Sequence, residues 1–243
     1  MSFCYAITSG KGGTGKSTVA AGLGLTFSQK GYKTLLIDMD EGLRCLDLML
    51  GVEKDVVFDL ADILDGRDAE DGTYKISGSD NLYLIPAPRN PDSINADAFC
   101  SFASDIVSKY DVVIIDFPAG SDFSLYKYLP QKTVVLAVCN PDPVSVRDAA
   151  SVCELLAFPP SHTKLIVNKF VYKHILKGLY GNIDDIIDNS GFQLVGVIPN
   201  DEELSYFSVK HKIKRNGRAQ AAFKRIVNRL CGKYELLPNP KKI

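Results

Sequence analysis

The chain has 243 residues, 46% of them hydrophobic and 23% charged, with a formal net charge of −1 at pH 7. This balance suits a globular chain with a sizeable core and excludes a disordered, highly charged segment. No run of about eighteen apolar residues occurs, so no membrane-spanning helix is expected, and no basic-then-apolar leader precedes the first strand pattern.

In chain order, residues 3–8 are largely apolar with aromatic and β-branched members and predict a buried strand. Gly10-Lys11-Gly12-Gly13-Thr14-Gly15-Lys16-Ser17 follows and fits the phosphate-binding pattern G-x-x-x-x-G-K-[ST]. Its glycines let backbone N–H groups approach an anion. Lys16 reaches phosphates and the Ser17 hydroxyl suits Mg²⁺. A helix over 18–30, stopped by Gly31, puts its dipole beneath the phosphates.

Residues 33–38 predict a second strand ending in Asp38, with Asp40 two residues later. Residues 66–80 carry no pattern and read as a surface loop. A third strand is expected over 81–86, and Ile94, Ala98, Phe102 and Ile106 give helical spacing within 92–109. Residues 111–116 form an apolar strand ending in Asp116. Further strands are expected over 133–139, 164–168 (ending in Asn168) and 194–198 (followed by Pro199 and Asn200), with a helix over 143–156. Near-continuous apolar strands alternating with helices imply an α/β three-layer sandwich. Its sheet is mostly parallel and doubly wound, with about seven or eight strands. No linker divides the chain, so a single P-loop domain is expected over 1–243, its core reaching about residue 232 and a short tail covering 233–243.

The candidate chemical groups fall at C-terminal strand ends, where open α/β sheets bind ligands. Mg²⁺ keeps several waters, so Asp38 and Asp116 would hold it through water together with Ser17. Asp40 is then free to orient an attacking water. The six cysteines and three histidines form no close metal-binding cluster, which favours reduced, buried thiols. Charge is uneven: residues 161–243 carry 15 Lys and Arg against 7 Asp and Glu, whereas residues 1–160 carry 13 against 22. The basic third could face DNA or anionic lipid, or simply solvent.

The stretch Lys11-Gly12-Gly13-Thr14-Gly15-Lys16-Ser17-Thr18 resembles the deviant Walker A motif of the MinD/ParA ATPases. Residues 37–51 resemble the switch I of its MinD members, and Ile115-Asp116-Phe117-Pro118-Ala119-Gly120 resembles switch II. Residues 139–148 and Gly196-Val197-Ile198-Pro199 match in order and spacing, so the likeness covers nearly the whole chain to about Gly232. It implies a nucleotide-binding set of Gly10, Lys11, Gly12, Gly13, Thr14, Gly15, Lys16, Ser17 and Thr18, with adenine contacts from Asn168, Pro199 and Asn200. ATP and Mg²⁺ are the implied cofactors, and Lys11, Lys16 and Asp40 the implied catalytic residues. Lys11 would reach across an ATP-sandwiched homodimer to the partner's nucleotide. Phe117 departs from the pattern, at a position that is usually small and polar.

Residues 221–231 place Phe223, Ile226, Val227, Leu230 and Cys231 opposite Lys224, Arg225 and Arg229. That apolar face suits a final core helix rather than one lying on a membrane. The remaining tail, with Pro238 and Pro240, is too short and broken to form another amphipathic helix, so a membrane anchor is missing or replaced, and a partner protein could supply it. Three functions are left open. One is a MinD-like positioning ATPase with an activating or cargo protein, cytoplasmic or peripheral at the membrane. The second is a ParA-like DNA-partitioning or pilus- or flagellum-positioning ATPase. The third is a metallocentre-assembly ATPase, which would need Cys45 or Cys139 at a dimer interface.

Overall fold

A computed structural model describes residues 2–120, 124–156 and 158–243 of the chain. The strands are β1 (Phe3–Thr8), β2 (Thr34–Asp38), β3 (Tyr74–Lys75), β4 (Leu82–Ile85), β5 (Val112–Asp116), β6 (Val134–Cys139), β7 (Thr163–Phe170) and β8 (Gln193–Pro199). The helices in the first half are α1 (Lys16–Gln29), α2 (Leu46–Leu50), α3 (Leu60–Leu64) and α4 (Ala96–Ser108). Those in the second half are α5 (Pro143–Leu155), α6 (Tyr172–Leu176), α7 (Ile183–Ser190), α8 (Glu202–Ser205), α9 (Phe207–Lys210) and α10 (Arg218–Leu230).

The eight strands form one sheet in the order β3-β4-β2-β5-β1-β6-β7-β8. Every pairing is parallel except the antiparallel pair of β3 with β4. Side chains alternate between the two faces, as a strand requires. Tyr5 and Ile7 of β1 face a core shared with α1, α2, α9 and α10. Cys4 and Ala6 face the opposite layer with α3 and α4, which continues under α5 and α7 beyond β6. This is the expected three-layer sandwich.

Differences from expectation have local causes. β3 lies inside the segment read as a surface loop; two residues are too few for any periodicity, and Tyr74 is held from outside by the Val57 and Phe58 N–H groups at 2.9 Å. α4 starts at Ala96 because Asn95 caps it, its Oδ1 accepting from the N–H groups of Asp97 and Ala98 at 3.0 Å. α2, α3, α6, α8 and α9 span four or five residues each and were not foreseen; the eight-residue α7, closed by a capping box from Asn182 and Asp185, was missed too.

The apolar face of the last helix packs on the core, as expected. Phe223, Ile226 and Val227 are fully buried. A Cβ on Gly22 of α1 would collide with the Phe223 ring, so glycine there permits the close approach of the two helices. The following segment docks too: the Arg229 guanidinium donates to the Glu235 carbonyl at 2.9 Å through Nε, and Leu237 and Ile243 join the core beneath α5 and α7. Among the described residues no helix is long and apolar enough to cross a membrane.

Candidate functional site

β1 lies at the centre of the sheet, and its C-terminal end runs into the glycine loop. Gly13 (φ 79°) and Gly15 (φ 90°) are left-handed. A Cβ on Gly15 would also collide with the Asn168 amide, so this position needs glycine on two counts. Gly15 is the N-cap of α1, with no side-chain cap and no acidic residue in the first turn. The helix therefore offers unsatisfied N–H groups and the positive end of its dipole to an anion. Buried Ser9 secures the loop entrance: its hydroxyl donates to the Lys11 carbonyl at 2.9 Å and its own carbonyl accepts from the Gly120 N–H at 3.3 Å.

Lys16 is buried at the start of α1, beside Asp116; that carboxylate and Asp38 are themselves fully buried. Asp38 and Asp116 are register partners at the ends of β2 and β5. Asp38 is well satisfied. It accepts from the N–H groups of Asp40 at 3.0 Å, Cys45 at 3.3 Å and Leu46 at 3.1 Å, and so anchors the loop that carries Asp40. Burial still raises its pKa to about 6, against those three bonds. Both Asp116 oxygens lack a direct hydrogen-bond partner among the described residues. Burial pushes its pKa up to about 7, with Lys16 opposing and Asp38 adding to the rise.

Two orphaned acceptor oxygens beside Lys16 and Ser17 fit a hydrated divalent cation, whose waters donate to carboxylates. Among the described residues no group of three or more His, Cys, Asp or Glu side chains could hold a metal ion.

The orphaned carboxylate carries a stability prediction. Its folded pKa lies above the unfolded value of 3.8. The folded state thus prefers the protonated form, and stability present below about pH 4 is lost as pH rises through about 7. Asp116→Asn should stabilise the nucleotide-free protein by about 1–3 kcal/mol at pH 8. The gain should vanish below about pH 4, as read from thermal midpoints across pH. A pH-independent difference would contradict the assignment.

Beside the loop lies a cavity of about 430 Å³, lined among others by Gly15, Thr18, Asn168, Pro199 and Asn200. The structure thus gathers all three residues expected at adenine. Asn168 is buried, and its Nδ2 is committed to the Thr14 carbonyl at 2.8 Å, which leaves Oδ1 for a ligand. Sequence reasoning missed Leu48, Met49, Lys169, Leu204, Ser205 and Ser208 in this wall. Leu48 and Met49 sit on the five-residue α2, too short to show a face, and Lys169 is placed by a strand irregularity.

Lys11 stands apart from Lys16. Its Nζ lies 3.4 Å from Asp142 Oδ1 at the N-terminus of α5, and both side chains are partly exposed, at 38% and 43%. Phe117 is accommodated in the core, stacking on Tyr126 with ring centroids 3.9 Å apart. Of the two cysteines the metallocentre reading offered, Cys139 is wholly buried at the end of β6, whereas Cys45 is half-buried.

An uncapped helix opening under a glycine loop at the switch point of a parallel sheet places the molecule among the P-loop nucleoside triphosphatases. Comparison with known proteins narrows this class. Residues 5–213 match the CobQ/CobB/MinD/ParA nucleotide binding domain. The septum site-determining protein MinD of Synechocystis sp. is 35% identical over 208 residues, covering 84% of this chain and 78% of its own length. MinD in the MinC:MinD cell division protein complex of Aquifex aeolicus superposes with a TM-score of 0.88 at 31% identity, covering 98% of this chain and 99% of that one. The Mg-ADP complex of MinD from Pyrococcus horikoshii gives 0.82 at 26% identity, covering 96% and 98%. The chain belongs to the MinD/ParA family of nucleotide-binding proteins and is of the MinD type.

Proposed function

We propose that this chain is a Mg²⁺-dependent ATPase that closes into a homodimer on ATP and so positions cellular machinery, as the septum-site proteins it resembles are named for doing. The observation that carries this reading is the division of labour between two lysines on one loop. Lys16 is buried beside Asp116, whereas Lys11 is directed outward to α5 and is partly exposed. A second cation that avoids its own phosphate site is free to serve a neighbour's.

In this scheme the loop N–H groups from Gly10 to Thr18 cradle the phosphates, and Lys16 neutralises the β- and γ-oxygens. Ser17 would hold Mg²⁺, with Asp116 and Asp38 contributing through water, and the ion would supply charge neutralisation at the phosphoryl group. Asp40, carried on the loop anchored by Asp38, orients the water that attacks the γ-phosphorus as ADP leaves. Asn168 Oδ1, Pro199 and Asn200 receive the base. A single nucleotide-binding domain suits the one continuous sheet. By analogy with the MinC:MinD complex of Aquifex aeolicus, a partner protein would read the ATP-bound dimer.

The test uses Asp40→Ala to block hydrolysis. Light scattering should show the mass doubling on adding Mg-ATP and no change with Mg-ADP; an unchanged monomer fraction overturns the proposal. Co-sedimentation with anionic liposomes, and duplex DNA binding across a salt series, then separate membrane from DNA attachment. Counterion release makes DNA binding fall steeply with salt.

Asp142 should restrain the switch. Its pair with Lys11 must break before that lysine reaches a partner, and pairs this exposed contribute about 0.2–1 kcal/mol. Asp142→Asn keeps the helix cap, in which Oδ1 accepts from Ser145 N–H at 3.0 Å, and removes only the charge. ATP-dependent dimerisation should tighten about 1.4- to fivefold per lysine released, measured by sedimentation equilibrium.

A further inference from the structure

The glycine loop is braced from β7 by a residue that no motif includes. Lys169 Nζ donates to the Gly13 carbonyl at 2.7 Å, next to the bond from Asn168 Nδ2 to the Thr14 carbonyl at 2.8 Å. Successive residues in a regular strand point to opposite faces, so Asn168 and Lys169 could not both reach the loop from one. Here the pairing of β7 with β8 shifts register between Val167 and Phe170, and Lys169 adopts φ 55°, a left-handed conformation that L-residues avoid. A bulge of this kind re-aims a side chain. The strained backbone turns two consecutive side chains onto two consecutive loop carbonyls.

The trans peptide is planar, so a residue's carbonyl and the next residue's N–H point in opposite directions. Drawing the Gly13 and Thr14 carbonyls toward β7 turns the Thr14 and Gly15 N–H groups away from β7. We propose that Lys169 is a positioning residue for phosphate binding: its ammonium group, with the Asn168 amide, holds the 13–15 backbone with its N–H groups set for an anion before any ligand arrives. Its stem also lines the cavity beside the loop, which couples the base pocket to the phosphate cradle. The inference rests on the nucleotide-site reading above.

The test compares wild type with Lys169→Met, which keeps the stem and loses the donor, and Lys169→Arg, which keeps a donor. Calorimetry with Mg-ADP and with Mg-pyrophosphate, which has no base, should show both binding about tenfold more weakly to Lys169→Met, with Lys169→Arg close to wild type. In the nucleotide-free proteins, amide hydrogen exchange at residues 13–15 should accelerate in Lys169→Met alone, with thermal midpoints unchanged. Three results would overturn the assignment: unchanged affinity for both ligands, a loss for ADP but not pyrophosphate (a base contact only), or weakened binding with loop exchange unchanged (a general charge effect). If wild type binds neither ligand, the nucleotide-site reading fails, and the exchange measurement still decides whether Lys169 holds the loop. Lys169→Gly, which removes the left-handed strain, keeps the comparison available should Lys169→Met fold poorly.

Discussion

Lys11→Ala is expected to abolish the ATP-dependent doubling of mass while leaving ATP binding to the monomer within a few-fold of wild type. The reason is geometric. Lys16 is buried, where it would serve the chain's own phosphates, whereas Lys11 is partly exposed and pairs with Asp142. In a two-fold dimer each Lys11 would meet the other subunit's phosphates, and a charge-assisted bond contributes about 1.5–3 kcal/mol. Two such bonds give about 3–6 kcal/mol, equivalent to about a hundred- to ten-thousandfold in the dimer dissociation constant. That is the scale needed to throw a two-state switch, about 5.5 kcal/mol from 1:99 to 99:1, although desolvation and the broken Asp142 pair draw on it. Sedimentation in the Asp40→Ala background with Mg-ATP checks it. Wild-type dimerisation by Lys11→Ala would remove the trans role of this lysine.

Phe223→Ala should be strongly destabilising, by about 3–5 kcal/mol in urea unfolding. The ring is fully buried between α10 and α1, over a glycine that leaves no side chain to refill the space. For a chain of this size the loss corresponds to a thermal midpoint lower by about 6–20 °C. Because α1 also carries the phosphate loop, nucleotide should recover part of it. Mg-ADP at about a hundred times its dissociation constant would return about 2.7 kcal/mol to any variant that keeps the site. A loss under about 1 kcal/mol would mean that α10 lies on the body more loosely than its packing indicates.

Much of this molecule was legible in one dimension. The apolar strands ending in Asp38 and Asp116, and the glycine loop between β1 and α1, carry strong local signals, because a buried parallel strand must be apolar along its length and a phosphate loop must be glycine-rich; β7 instead continues two residues past Asn168, to Phe170, through an irregular pairing with β8 that no local pattern announces. The apolar face of α10 is legible too, because the helical spacing of Phe223, Ile226 and Val227 is itself a local signal. Shorter elements were not legible. The two residues of β3 and the five-residue α2 lie below the length at which periodicity can speak, and they depend on distant partners: the Val57 N–H for Tyr74 and the Asp38 carboxylate for Leu46.

The chain order of residues thus determined the fold class, the loop and which carboxylates end strands, since each follows from neighbours within a few positions. Tertiary structure alone decided what each polar group does. It left the Asp116 oxygens without a direct hydrogen-bond partner among the described residues while surrounding Asp38 with three N–H donors, parked Lys11 on Asp142, and turned Lys169 through a bulge onto Gly13. Charge pairing and hydrogen bonding depend on distances between segments far apart in the chain, and sheet register sets those distances, not the identity of adjacent residues.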